Sequence, residues 1–311
     1  MRTTDMADEL FRGPETELPA GVRLATAKRG GVTVTRVEIA REGLARPRGR
    51  YVTLEVPSVS VLDERDAAVI EVCARELRAL LPPEGPVLVL GIGNRRVTAD
   101  ALGPRTAQKI LVTMGPQHTL PVKGIRPVAA IAPGVSASTG LTLRQLAGAM
   151  VEAVRPAALI CVDSLCSAEG ARLGRSVQFS DTGLYPAQAD HAKHLNAAAL
   201  GVPVIAAGIP TLMQAEEGRD LVVTPRDLDG VIAHGAALLG LQQLHAVGAG
   251  LLHALAVLEE QVVFLLVGAG EGHAQHQHRQ AHMQARGSYW ERQQSVRIDG
   301  AVLSYLFCRR G

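Results

Sequence analysis

Val87-Leu88-Val89-Leu90-Gly91-Ile92-Gly93-Asn94-Arg95-Arg96-Val97-Thr98-Ala99-Asp100-Ala101-Leu102-Gly103-Pro104 leads from an apolar run, through a glycine turn, to one carboxylate and then into a helix-like segment. Four consecutive apolar residues bounded by Gly read as a strand buried on both faces. The turn sets Asp100 at the helix entrance. A second apolar run, Ala157-Ala158-Leu159-Ile160-Cys161-Val162, also ends in an acid, Asp163. Two acids at the carboxyl ends of parallel strands can share one cleft, and a shared proton would make them a water-activating pair.

Working outward, the same order repeats. Strands are predicted at residues 87–90, 128–132, 157–162 and 202–207, with a short one at 177–179. Helices are predicted at residues 63–81, 104–112, 142–154 and 227–241. Short apolar strands alternating with helices give an α/β class: a doubly wound, mostly parallel sheet with helices on both faces. Ligands bind such sheets at the carboxyl edge. Gly91, Gly93, Asn94, Pro133, Gly134, Asp100 and Asp163 all fall there. Asp181-Thr182-Gly183 resembles the triplet of pepsin-like enzymes, but those folds are all-β and use two triplets. Asp181 is therefore a lesser candidate for the cleft wall.

Three regions follow. Residues 1–30 are polar, carry Pro14 and Pro19, and read as an irregular N-terminal segment and candidate propeptide. Residues 31–258 read as a single α/β catalytic domain. Residues 259–311 are rich in His and Gln (His273, His276, His278, His282) and read as a poorly ordered tail. Residues 235–258 contain no Asp, Glu, Lys or Arg. Their Gln242, Gln243, His245, His253 and glycines favour a buried or partner-facing helix over a membrane span.

Composition removes several function classes. A net charge of +2 argues for neither nucleic acid nor an anionic membrane. Residues 1–12 do not read as a secretory signal. Cys73, Cys161, Cys166 and Cys308 show no disulfide framework and no zinc spacing, so a reducing interior is the natural setting. The glycine turn lacks the third glycine of a dinucleotide fold, where Arg96 stands, and no cofactor is expected. No Gly-x-Ser-x-Gly elbow and no His-Glu-x-x-His occurs. Ser136, Ser138 and Thr139 read as turn residues.

Several motifs, in order, resemble the germination proteases of spore-forming bacteria. They are Gly31-Val32-x-Val34-Thr35-Arg36-Val37-Glu38-Ile39, Tyr51-Val52-Thr53-Leu54-Glu55-Val56-Pro57, Gly91-Ile92-Gly93-Asn94 with Val97 to Pro104, Arg126 to Val135, Val162-Asp163-Ser164-Leu165, Asp181-Thr182-Gly183, Gly201 to Ala206 and Leu221 to Pro225. The resemblance implies an aspartic-type endopeptidase with Asp100 and Asp163 as its catalytic aspartates. It implies a hydrogenase-maturation-protease-like (phosphorylase/hydrolase-like) fold, a zymogen trimmed near its N-terminus, and a homotetramer. Small acid-soluble proteins coating spore DNA would be the substrate, in the cytoplasm of the forespore or the spore core. No direct nucleic-acid or membrane partner is implied. The chain departs from the family pattern at Pro186 to Ala192, where a glycine-rich loop is usual, and has a short segment at residues 212–221. Those departures leave two alternatives: an inactive homologue, or a metal-binding maturation-type protease using Asp100, Asp163 and a histidine such as His191.

Overall fold

The computed structural model describes residues 4–11, 18–62, 66–114, 126–185, 194–214, 222–247, 262–264, 290–298 and 301–308. In chain order the first unit comprises β1 (Val22–Arg29), β2 (Val32–Ile39), β3 (Gly49–Glu55), α1 (Ala67–Arg78), β4 (Val87–Gly91), α2 (Leu102–Lys109), β5 (Val128–Ile131), α3 (Ser136–Thr139), α4 (Leu143–Val154), β6 (Ala158–Cys166), β7 (Ser176–Ser180), α5 (Ala197–Leu200), β8 (Val204–Gln214), β9 (Val222–Val223) and α6 (Leu228–Val247). One mixed sheet carries them in the order β1-β2-β3-β7-β8-β6-β4-β5, with β9 on the end of β8.

The parallel strands are β8, β6, β4 and β5. Their side chains are apolar on both faces because helices cover both. On one face Val87, Val89, Ile160, Val162 and Ile209 pack with residues of α1, α2 and α6. On the other, Leu88, Leu90, Leu159 and Cys161 pack with α4 and α5. The class is α/β, as expected. The remaining strands form an antiparallel wing, β1-β2-β3-β7, that joins the parallel part through β8. Tight connections such as Gly30-Gly31 suit antiparallel neighbours, whereas parallel ones need a crossover.

Two helices bear on the sequence reading, although residues 248–258 lie outside the described residues. Thr142 caps α4 reciprocally: its hydroxyl accepts from the Gln145 N–H, and the Gln145 side chain accepts from the Thr142 N–H. The apolar stretch from residue 235 begins inside α6, which packs against α1 and α2. That contact buries Val231, Ile232, Ala236, Leu238 and Leu239. Among the described residues no helix is long and apolar enough to cross a membrane.

The N-terminal segment is not irregular throughout. Val22–Arg29 is an edge strand, paired along its length with β2. Its outer edge is unpaired and most of its side chains are exposed, so it carries no clean alternation to read. Upstream, Met6, Ala7 and Asp8 are fully buried. Arg172 Nη1 and Nη2 donate to the two Asp8 carboxylate oxygens at 3.1 and 2.8 Å, and Arg172 Nε lies 3.5 Å from Glu9. Thr53 Oγ1 donates to Asp8 as well, at 3.0 Å. Ala7 and Phe11 join Val22, Val37, Ile39 and Tyr51 in a small core of their own.

Residues 251–311 form a second unit. It contains β10 (Val262–Phe264), β11 (Trp290–Ile298) and β12 (Ala301–Cys308) in an antiparallel sheet of order β10-β12-β11. The tail therefore includes a hairpin, with Ile298 opposite Ala301 and Asp299-Gly300 between them in sequence. The histidine-rich stretch at residues 270–286 lies outside the described residues.

Replacing Arg172 by Met strands two buried carboxylates. The expected cost is about 3–5 kcal/mol of unfolding free energy, measured by urea denaturation. A loss below about 1 kcal/mol would show that residues 4–11 are not held by this pair.

Candidate active site

The chain leaves β4 through α2 on one face of the sheet and returns from β5 to β6 through α4 on the other. Because β4 lies between β5 and β6, the two connections part at the carboxyl ends of β4 and β6. That parting is the topological switch point of the sheet, where a crevice opens. Asp100 follows β4 and Asp163 lies on β6, one residue past the last pairing of that strand with β4, Gly91 with Val162.

The loop that carries Asp100 is tied at several points. Asp100 Oδ2 accepts the Asn94 N–H at 2.7 Å. Asn94 Oδ1 accepts from the Arg96 N–H at 3.0 Å, and the Asn94 carbonyl accepts from Val97 at 2.9 Å. Thr211 Oγ1, from β8, donates to the Ala99 carbonyl at 2.7 Å. Gly93 sits at φ +122°, and a Cβ there would overlap the Asp100 carbonyl, so only glycine lets the turn fold back on the acid. Gly91 and Gly103 make a second close approach: a Cβ on either would collide with backbone of the other segment. The glycines of the opening motif thus set the distance between β4 and α2, and that distance aims Asp100.

Asp163 Oδ1 accepts the Ser164 N–H at 2.8 Å. Burial pushes the Asp163 carboxyl well above its ordinary value of 3.8; the Asp100 carboxylate adds to the rise, the Ser164 N–H opposes it, and Asp5 adds a further increment. Burial also raises Asp100, against the pull of the Asn94 N–H. Asp163 therefore feels the charge of Asp100. Both residues keep partial solvent exposure, so water reaches the pair. Carboxyls coupled in this way can share one proton.

The other sequence candidates divide. Pro133 and Gly134 follow β5, whose Ile131 pairs with Leu90, so they reach the carboxyl edge at the level of Asp163. Asp181 is elsewhere. Its carboxylate accepts from the Arg50 N–H at 2.7 Å and from Arg50 Nε at 2.6 Å. It lies three residues back and two strands across from Asp163 by register, roughly 14 Å away at ordinary strand spacings. Ser138 and Thr139 bond back to the Val135 carbonyl within their own turn.

Asp5 was missed by the sequence reading. Its N–H donates to the Cys166 carbonyl at 2.7 Å, and its Oδ2 accepts from the Cys166 N–H at 2.8 Å. The side-chain amide of Gln178 brackets the following residue: Nε2 donates to the Asp5 carbonyl at 2.9 Å, and Oε1 accepts from the Ala7 N–H at 2.8 Å. Arg46 Nη2 also lies 3.4 Å from Asp5 Oδ1. Nothing local in Thr4-Asp5-Met6 signals this, because its partners are remote in sequence. Among the described residues no group of three His, Cys, Asp or Glu is placed to hold a metal ion. His191 and the loop from Pro186 to Ala192 lie outside the described residues.

Comparison with known proteins places the chain in a family. The family model described as germination protease matches residues 3–217, a span that contains both acids. A germination protease of Clostridium perfringens (strain SM101) is 36% identical over 212 residues, covering 62% of this chain and 64% of that protein. One from Priestia megaterium is 34% identical over 228 residues, covering 69% and 60%. One from Caldanaerobacter subterraneus subsp. tengcongensis is 37% identical over 222 residues, covering 67% of each. The chain thus spans about two thirds of the length of these relatives. A [NiFe] hydrogenase maturation protease HycI from Thermococcus kodakarensis KOD1 aligns with 54% of this chain and 98% of its own at 18% identity and a TM-score of 0.35, too distant a likeness to argue from. By the match over residues 3–217, the chain belongs to the germination protease family.

Proposed function

We propose that the chain is an endopeptidase that cleaves peptide bonds with the Asp100–Asp163 pair and forms no covalent intermediate. One observation carries the reading: two carboxylates, one of which feels the charge of the other, stand at the topological switch point of the sheet. Family membership supports a protein substrate. The family resemblance suggests small acid-soluble spore proteins as that substrate and the forespore or spore core as the setting. It also suggests a tetrameric enzyme made as a zymogen. Trimming that spares the fold would leave Asp8 and Glu9 in place, since both neutralise the buried Arg172.

The chemistry follows from one shared proton. The ionised acid takes a proton from water as the water oxygen bonds to the scissile carbonyl carbon. The neutral acid gives its proton to the carbonyl oxygen, and a gem-diol forms. Collapse restores the C=O, breaks the C–N bond and delivers a proton to the leaving nitrogen. The pair ends with one proton, as it began. Asp163, the acid whose charge is more strongly disfavoured, is the natural holder of that proton.

Incubating the purified chain with a small acid-soluble spore protein and reading the products by mass spectrometry tests the reading. Internal cleavage is expected, and either Asp100→Asn or Asp163→Asn should lower the rate by about a thousandfold. Retention of full activity by either variant would refute the pair.

The acid pair also sets a pH dependence of stability. An acid raised on folding holds its proton in the native state after the unfolded chain has released it. Its contribution is therefore fully present below the ordinary 3.8 and is lost as pH rises through the raised native value. Asp163→Asn should accordingly show a higher Tm than the parent chain at pH 7, with the gain shrinking below pH 3.8. A lower Tm for Asp163→Asn at pH 7 would mean that the carboxylate is stabilised by folding, opposite to the raised value. Proteolysis should fall on the alkaline side, where both acids are charged.

A further inference from the structure

Two hydroxyl oxygens, Ser164 Oγ and Ser176 Oγ, are buried without a hydrogen-bond partner among the described residues. A buried hydroxyl left unpaired is a standing cost to the fold. Ser176 opens β7, opposite Glu55. Ser164 follows Asp163 and gives its own N–H to that carboxylate. Strand alternation sets the direction of its side chain. Ser164 continues the row Ile160, Val162, and its partner across β8 is Ile209. Those three residues pack in the core under α1, α2 and α6. The turn Thr98–Asp100 lies on that same side, against β6, β8, α2 and α6. Thr211 already donates to its Ala99 carbonyl from β8. Ser164 presents a second hydroxyl to the same side from the neighbouring strand.

The turn carries an acceptor that is unsatisfied for a covalent reason. A carbonyl at the entrance of a helix bonds to the N–H four residues on. For Asp100 that residue is Pro104, which has no N–H. Among the described residues no main-chain N–H takes its place. The Asp100 carbonyl instead lies against Gly93, where a Cβ would come within 2.1 Å of it. Gly93 is two residues past Gly91, and Ser164 is two residues past Val162, the partner of Gly91. A hydroxyl without an acceptor and a carbonyl without a donor therefore stand at neighbouring positions, across a strand spacing of about 5 Å.

From these two orphaned groups we propose that Ser164 is a positioning residue for Asp100. When a peptide seats in the crevice, the turn closes toward β6 and the Ser164 hydroxyl donates to the Asp100 carbonyl. The bond acts through Asp100: it fixes the turn that aims the carboxylate and touches no substrate atom. Hydrogen bonds around catalytic groups commonly tighten only in the substrate complex. Here both partners gain a bond that each lacks in the free chain, which favours the closed position. Gly93 leaves the movement free of a side chain at the point of contact. The proposal rests on the endopeptidase reading and deepens it by naming what holds one acid in the working complex.

The test compares Ser164→Ala and Ser164→Thr in the full chain, with a small acid-soluble spore protein as substrate. Ala removes the hydroxyl and little else; Thr keeps it on a branched carbon that strands favour. Closing follows binding, so Ser164→Ala should lower kcat about three- to tenfold, the worth of one neutral hydrogen bond, and change KM less than about twofold. Its Tm should not fall, because the hydroxyl has no partner in the free chain. Ser164→Thr should keep kcat within about twofold of the parent. A second readout needs no turnover. In the full chain carrying Asp163→Asn, saturating spore protein should slow deuterium exchange across residues 94–101, and adding Ser164→Ala should reduce that slowing. Parental kcat in Ser164→Ala would overturn the proposal. So would a fall in kcat that comes with a lower Tm and is not restored by Thr, or the same exchange with and without the hydroxyl. Failure of the unmodified chain to cleave the spore protein would count against the endopeptidase reading alone, since the exchange comparison does not depend on cleavage.

Discussion

Two like charges cannot cheaply be held in one crevice of low dielectric, and that constraint organises this molecule. The charge on Asp163 is disfavoured by burial and then by Asp100. A single carboxylate at either strand end would be an ordinary buried acid. In the proposed reading, the two acids together serve as a base and an acid at the same pH. The rest of the fold brings the ends of β4 and β6 together and keeps the loops beyond them from relaxing apart.

Glycine and threonine do that holding. Backbone meets backbone where Gly91 approaches Gly103, with no side chain between. Thr211 ties the Asp100 turn to β8 by a hydrogen bond to a carbonyl, and the Asn94 N–H clasps the acid itself. Each contact is modest in energy. Together they remove the freedom that the like-charge repulsion would otherwise use to move Asp100 away. Burial is the first cause of the rise at Asp163, and this rigidity keeps the Asp100 charge in place to add to it.

The apolar strands were legible because burial on both faces leaves an uninterrupted run. Val87 to Leu90 and Ala158 to Val162 admit few other readings at their length. The switch-point acids were legible because Asp163 ends one run and Asp100 is the first acid after the glycine turn that ends the other. The strand Val22–Arg29 was not, since an edge strand needs no apolar face along its whole length, and its partner β2 supplied the only signal. Asp5 was beyond reach for another reason. Its role depends on Cys166 and Gln178, and a polar residue whose partners are remote leaves no periodic trace. Asp181 was misleading for the opposite reason: a familiar triplet in an unrelated fold, where the carboxylate serves Arg50.

The N-terminal segment shows how tightly the acid pair is tied to distant parts of the chain. Arg172 is a buried cation with Asp8 and Glu9 against it, and Asp5, a few residues earlier, sits against the end of β6. The strand that carries Asp163 is therefore flanked by β4 and β8 below and by the N-terminal segment above. In the sheet, β6 continues past the end of β4, and main-chain groups left without a strand partner at that point must find others. Asp5 supplies both, giving a donor to the Cys166 carbonyl and an acceptor to its N–H. An acid in that place also adds negative charge near Asp163. The segment that completes the sheet thus adds a last increment to the rise at Asp163, with Arg46 3.4 Å from the Asp5 carboxylate as its counter-charge.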